Sequence, residues 1–151
     1  MKNLYPISQL MLRLSIGIGF ILPVMDRLGC FGVYGEANVA WGSWAVFVAY
    51  THQLMPYVNE HVASFCGFVA TVLEVVCGIL LIVGYKVRYT AIASACLTLV
   101  FALSMLFFLH FKAPFSYSVF VVSFSSLLLS TFSHYPWSVD AYLDSYGKLD
   151  R

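Results

Sequence analysis

Two charged residues stand inside stretches that are otherwise apolar: Arg13 within the run from about 6 to 25, and Glu74 within 65 to 84. A charge at the centre of a bilayer costs about 2.5–3.5 kcal/mol on insertion scales, so such a residue faces a partner or a polar cavity. At a helical rise of about 1.5 Å per residue, Arg13 is expected about 10 Å and Glu74 about 15 Å from the same membrane face. An arginine side chain spans that difference, so the two are expected to form one ion pair between the first and second long helices. Two chemistries fit a buried guanidinium and carboxylate. The pair fixes helix register, or it lines a polar pocket that anchors a ligand or moves a proton. The sequence leaves both open.

A second group, Asp26, Arg27, Trp41, His110 and Lys112, is a candidate cluster at the opposite, outer mouth of the bundle. The alternative there is a rim of snorkelling charges. Cys30 and Cys66 are expected near the same outer face, where an oxidising compartment makes a disulfide between them a candidate. Cys77 and Cys96 fall deeper and read as small apolar residues. No Cys-x-x-Cys motif is present, so the usual thiol-redox chemistry is not expected. His52, His61 and His110 belong to the outer side and His134 to the inner. Haem in a bundle uses histidines on facing helices; none sits mid-membrane here, so haem is not expected, nor is a metal site.

The elements that must position these residues follow from composition. Hydrophobic types make up 61% of the 151 residues and charged types 10%, against about 25% charged in a soluble domain. Mean hydropathy is +0.85. The chain is expected to be one membrane domain, 1–151, with lipid as its surroundings. A net charge of +1 leaves no footprint for nucleic acid. Four segments approach the roughly 20 apolar residues a span requires: about 6–25, 65–84, 89–109 and 115–132. Backbone groups in lipid must be satisfied within the segment, which predicts helices, and the segments lack the alternation of a barrel. The fold class is therefore an all-α membrane protein, a four-transmembrane-helix bundle.

The outer connection, 26–64, is far longer than the usual 2–8 residues or so between bundle helices. Trp41, Trp44, Phe47, Val48 and Leu54 form an approximate helical stripe there, closed by Pro56, which predicts a short interfacial helix. A further span in this region is opposed by His52, Gln53, Asn59 and Glu60. Lys2, Lys86, Arg88, Lys148 and Arg151 fall on one side, and only Arg27 and Lys112 on the other. The positive-inside rule then puts both termini and the tail, 133–151, in the cytoplasm of a bacterial inner membrane. Arg13 interrupts the first apolar run and no small-residue cleavage site follows it, so this run reads as a retained helix. Ser15 with Gly19, and Ala91 with Ala95, are small-residue faces that allow close helix approach.

The stretch from Leu12-Arg13-Leu14-Ser15 through Gly17, Gly19 and Phe20 to Asp26-Arg27-Leu28-Gly29 resembles the opening of DoxX-family membrane proteins. Glu74 followed by Gly78, Gly84 and Arg88 resembles that family's pattern between helices two and three. Val39-Ala40-Trp41-Gly42 and Lys112-Ala113-Pro114 are similar to features of one prokaryotic branch, whose members often carry an acidic residue where Ser116 stands. The resemblance covers about residues 12–130 and implies a four-helix membrane fold. The family takes its name from a subunit linked to thiosulfate:quinone oxidoreductase; other members associate with redox partners, and related branches act as chaperones or assembly factors.

Two functions are therefore carried forward. The leading one is a membrane subunit of a quinone-linked oxidoreductase system, with Arg13 and Glu74 as the polar floor of a pocket near Phe20 and Trp44. Its cofactor would be a quinone and its electrons would come from a redox partner. The rival is a non-catalytic assembly or scaffold protein, acting on another membrane protein or as a homo-oligomer. Transport fits less well, because no broken-helix repeat is present.

Overall fold

The computed structural model describes residues 4–146, all of whose regular elements are helices. Lys2, Lys148 and Arg151, which carry part of the orientation argument, lie outside them. Helix α1 runs Leu4–Arg27, α2 Trp44–Leu54, α3 Glu60–Val83 and α4 Val87–Ser104, the last prolonged by a π-helical turn, Met105–Leu109. Short α5, Ala113–Ser116, precedes α6, Val119–Ser130, and α7, Val139–Tyr146, ends the described chain. Three helices, Leu4–Arg27, Glu60–Val83 and Val87–Leu109, are long and apolar enough to cross a membrane, and α6 is a shorter apolar helix.

The local sequence explains where these helices stop and start. Asn59 caps α3, its side chain accepting from the Val62 amide at 2.9 Å, so the helix begins before the apolar run does. Gly84 closes it in the left-handed conformation, φ 79°, with its amide on the Leu80 carbonyl, the geometry glycine takes without steric cost. The fourth apolar segment differs from the expectation of one continuous span. Pro114 opens the α5 turn, and Ser118 takes φ 55°, which breaks the helical path before α6 begins.

Helices α1, α3, α4 and α6 pack in that order around a square, with α2 against α3, α1 and the π-helical turn. At the crossing of α1 and α3 the backbones approach closely. A Cβ on Gly17 would sit 3.0 Å from the Gly78 carbonyl oxygen, and one on Gly78 would sit 3.0 Å from that of Gly17. The expected small face on α1 was Ser15 and Gly19. Instead Ser15 is exposed and Gly19 faces open space. Ala91 and Ala95 are buried as the spacing requires, and Ser123 Oγ donates to the Ala95 carbonyl at 2.9 Å where α6 meets α4.

The Gly17–Gly78 crossing fixes the register of the molecule. Antiparallel helices that cross there bring Arg13 level with about residue 82 and Glu74 level with about residue 21, at the common rise of roughly 1.5 Å per residue. The start of α1 therefore projects past the end of α3. That overhang packs against the segment that follows α6, where the rings of Tyr5 and Phe132 meet at 5.3 Å. Helix α7 closes this end: Asp140 accepts from the Lys86 and Val87 amides at 2.7 and 2.8 Å, and its own amide donates to the Gly84 carbonyl at 3.0 Å.

Candidate functional site

Glu74 is buried on α3, and its partner is Arg27, not Arg13. Arg27 Nη1 lies 2.7 Å from Glu74 Oε2, with both side chains almost fully enclosed. The expected pairing fails for a geometric reason. It assumed that α1 and α3 end flush, whereas the overhang of α1 carries Arg13 about eight residues, or roughly 12 Å, past the level of Glu74. Arg27, read from sequence as a mouth residue, is the last residue of α1 and folds back into the bundle to reach it.

The guanidinium is held on several sides. Nη1 donates to Thr71 Oγ1 at 2.8 Å, Thr71 passes a bond to the Gly67 carbonyl at 2.8 Å, and Nε donates to the Pro23 carbonyl at 3.2 Å. The Phe47 ring lies 3.9 Å from Cζ and the Trp41 ring 5.2 Å, cation–π contacts that gain strength from desolvation. Glu74 Oε2 receives no aligned hydrogen bond among the described residues; its contact with Arg27 is ionic. One α2 ring, Phe47, thus covers a charge pair supplied by α1 and α3. At Gly67 α2 packs closely on α3, since a Cβ there would sit 3.1 Å from Phe47.

Asp26 organises the approach to this lid. Its Oδ2 accepts from the Ala40 and Trp41 amides at 2.9 and 3.0 Å, so the residue beside Arg27 pins the loop that delivers Trp41. Trp41 packs edge-on against Phe47 and tilted against Tyr50, with centroids 5.6 and 5.9 Å apart. Burial, with the Tyr117 hydroxyl adding to it, pushes the Tyr50 phenol up to about 12, which keeps it a neutral hydrogen-bonding group. Of the expected outer cluster, Asp26, Arg27 and Trp41 therefore come together. His110 and Lys112 do not join them: both are exposed, and Lys112 Nζ lies 5.9 Å over the Phe111 ring.

Arg13 occupies the other end of the bundle. It is 1% exposed, and Nη2 donates to the Trp137 carbonyl at 2.8 Å, while Nε and Nη1 have no partner among the described residues. Gly84 makes room for it, because a Cβ there would sit 2.7 Å from Arg13 Nη1. Gln9, one helical turn away, is fully buried with both amide atoms unpartnered. Phe20 belongs to the apolar core with Ile16 and Leu81, and Trp44 packs on Phe47 at 5.3 Å. Cys30 and Cys66 are free thiols, Cys30 exposed and Cys66 half-buried, so the candidate disulfide is not formed.

A bundle of long apolar helices closed around a buried ion pair defines a helical membrane protein. The DoxX family model matches residues 8–111, and the chain belongs to the DoxX family. That match includes Arg13, Arg27, Glu74 and the whole α2 lid. No curated protein and no solved structure matches this chain.

Proposed function

We propose that the chain is the membrane subunit of a quinone-linked oxidoreductase system, with Arg27 and Glu74, in place of Arg13 and Glu74, as the polar anchor of its ligand site. The observation that carries this reading is the buried Arg27–Glu74 pair beneath the Phe47 and Trp41 rings. A cationic donor, a carboxyl group and two aromatic walls suit a flat ring bearing carbonyl oxygens. A quinone bound there supplies two-electron carbonyl chemistry, with the electrons delivered by a redox partner protein. The chain's own part is to orient, to exclude water and to move a proton. Arg27 offers its guanidinium to a carbonyl oxygen, Glu74 takes up and releases the proton on its carboxyl group, and Phe47 and Trp41 keep the pair dry when α2 is seated.

The wider setting belongs to the same reading. The chain forms one domain, and α1, α3, α4 and the α5–α6 unit make four crossings of a bacterial inner membrane. The 12 residues of α6 rise about 18 Å, so α5 and the turn at Ser118 complete the crossing of the roughly 30 Å hydrocarbon core. Helix α2 lies along the outer interface, where Trp41, Tyr50 and Tyr57 suit the headgroup region. The termini are cytoplasmic, on the side of Lys86 and Arg88.

Titration with decylubiquinone, followed by quenching of Trp41 and Trp44 fluorescence, tests the site. Wild type is expected to saturate and Glu74→Gln to lose binding. The double variant Arg27→Met/Glu74→Leu controls for folding, since apolar replacement of a whole buried pair is commonly neutral or stabilising; it should fold and bind nothing. Full affinity in Glu74→Gln rules the quinone reading out. The scaffold reading retains one supporting observation, the complete closure of the pair, as a register pin requires. Under it Glu74→Gln costs stability alone, and changes at Trp41 or Trp44 lose a protein partner.

A further inference from the structure

A groove of about 370 Å³ opens between the start of α4 and α7, at the end of the bundle remote from the Arg27–Glu74 pair. Lys86, Arg88 and His134 line it together with Tyr85, Tyr89 and Tyr135. Lys86 and Arg88 are exposed, and neither has a salt-bridge partner among the described residues. Lys86 takes φ 48° and holds its ammonium 5.7 Å over the Tyr85 ring. Tyr135 at the groove's base is buried, which raises its phenol, and the nearby Arg88 charge partly offsets the rise.

The acidic residues of the groove define what it can hold. Asp140 is already engaged by the Lys86 and Val87 amides, so these two amides at the start of α4 are taken, and Lys86 and Arg88 are the groups left to hold an anion. Asp144 also lines the groove and repels a second negative charge. Two free cations facing one free carboxylate suit a monoanion better than a dianion. The rim fits a membrane boundary: Tyr89, which lines it, is 73% exposed, and amphipathic rings of this kind gather at headgroup level.

We propose that this groove binds the phosphodiester headgroup of an anionic membrane lipid, with Lys86 and Arg88 gripping the phosphate and Tyr85 and Tyr89 flanking the glycerol. A basic pocket between helices at the membrane surface is a recognised lipid-headgroup site. The groove is large enough for a glycerophosphate. Asp144 makes it selective for phosphatidylglycerol over the more highly charged phosphatidic acid.

Native mass spectrometry of the full chain, released from nanodiscs of equimolar phosphatidylglycerol, phosphatidylcholine and phosphatidic acid, reads retention directly. Wild type is expected to keep phosphatidylglycerol in preference to the other two. Lys86→Gln and Arg88→Gln should each weaken retention about fivefold, the effect of roughly one basic residue at a membrane surface. Arg88→Lys should restore most of the loss, and Asp144→Asn should raise phosphatidic acid retention. Unchanged phosphatidylglycerol in the Lys86→Gln/Arg88→Gln double variant overturns the proposal. So does displacement of the bound lipid by millimolar inorganic phosphate, which would make the site one for a soluble anion. Phosphatidic acid bound as well as phosphatidylglycerol by wild type overturns the part assigned to Asp144.

Discussion

Arg13 and Arg27 lie on one helix, both almost fully buried, yet the molecule accommodates them in different ways. Arg27 meets a carboxylate, a hydroxyl, a carbonyl and two aromatic faces. Arg13 meets one carbonyl, that of Trp137, and two of its nitrogens bond to nothing described. A buried charge whose partner is removed is strongly destabilising, whereas exchange of the whole pair for apolar residues often is not. Arg27 is therefore one half of a unit with Glu74. Arg13 is a single residue that ties the end of the chain to α1, its favourable Coulomb partner being Asp140, which it does not touch.

Substitutions at the two ends should separate these roles, and the largest effect is expected at Glu74. Glu74→Ala leaves Arg27 buried and uncompensated, a loss of about 3–5 kcal/mol, measurable as a fall in resistance to denaturant in detergent. Arg27→Met/Glu74→Leu should recover most of it. Between the two arginines, Gly17→Val places side-chain atoms against the Gly78 carbonyl and Ile82. Overpacking of that kind costs about 1–3 kcal/mol, and because it disturbs the register it should also weaken the Arg27–Glu74 contact. A stability measurement combined with the Glu74→Gln background would reveal the coupling.

At the α7 end the effects should be smaller. Asp140→Ala removes the acceptor of two amides at the start of α4 and is expected to cost about 1 kcal/mol, with faster hydrogen exchange at Lys86 and Val87. Arg13→Met removes a single hydrogen bond, worth about 0.5–1.5 kcal/mol, and relieves two unpartnered donors. Its net effect on unfolding should be the least of the four and can have either sign. A loss from Arg13→Met as large as that from Glu74→Ala would show that the two arginines are not different in kind.

Much of the helical framework was legible in the sequence because lipid leaves few alternatives: apolar runs near 20 residues read as helices, and Gly84 reads as a stop. The α2 helix was visible through Trp44, Phe47, Val48 and Leu54. The break at Ser118 was not, since a left-handed serine carries no signal of the kind a glycine would. Glu74 stood out as a carboxylate in an apolar run, but its partner did not. Depth counted from helix ends presumes level ends, and the offset of α1 against α3 is set by Gly17 meeting Gly78, a long-range contact. Arg27 was hidden by its neighbours: Asp26 and the polar loop after it made the end of α1 look like a mouth. One signal was available. Arg13, Phe20, Val24 and Arg27 follow a helical stripe on α1, and all four are buried.

A double-mutant cycle on unfolding free energy tests the central claim most directly, comparing Arg27→Met with Glu74→Leu and, separately, Arg13→Met with Glu74→Leu. Residues in one ion-pair network couple by about 0.5–3 kcal/mol, while distant sites add within about 0.5 kcal/mol. The Arg27–Glu74 cycle is predicted to show coupling in the upper part of that range, and the Arg13–Glu74 cycle to be additive. Strong coupling between Arg13 and Glu74, with additivity between Arg27 and Glu74, would contradict the account.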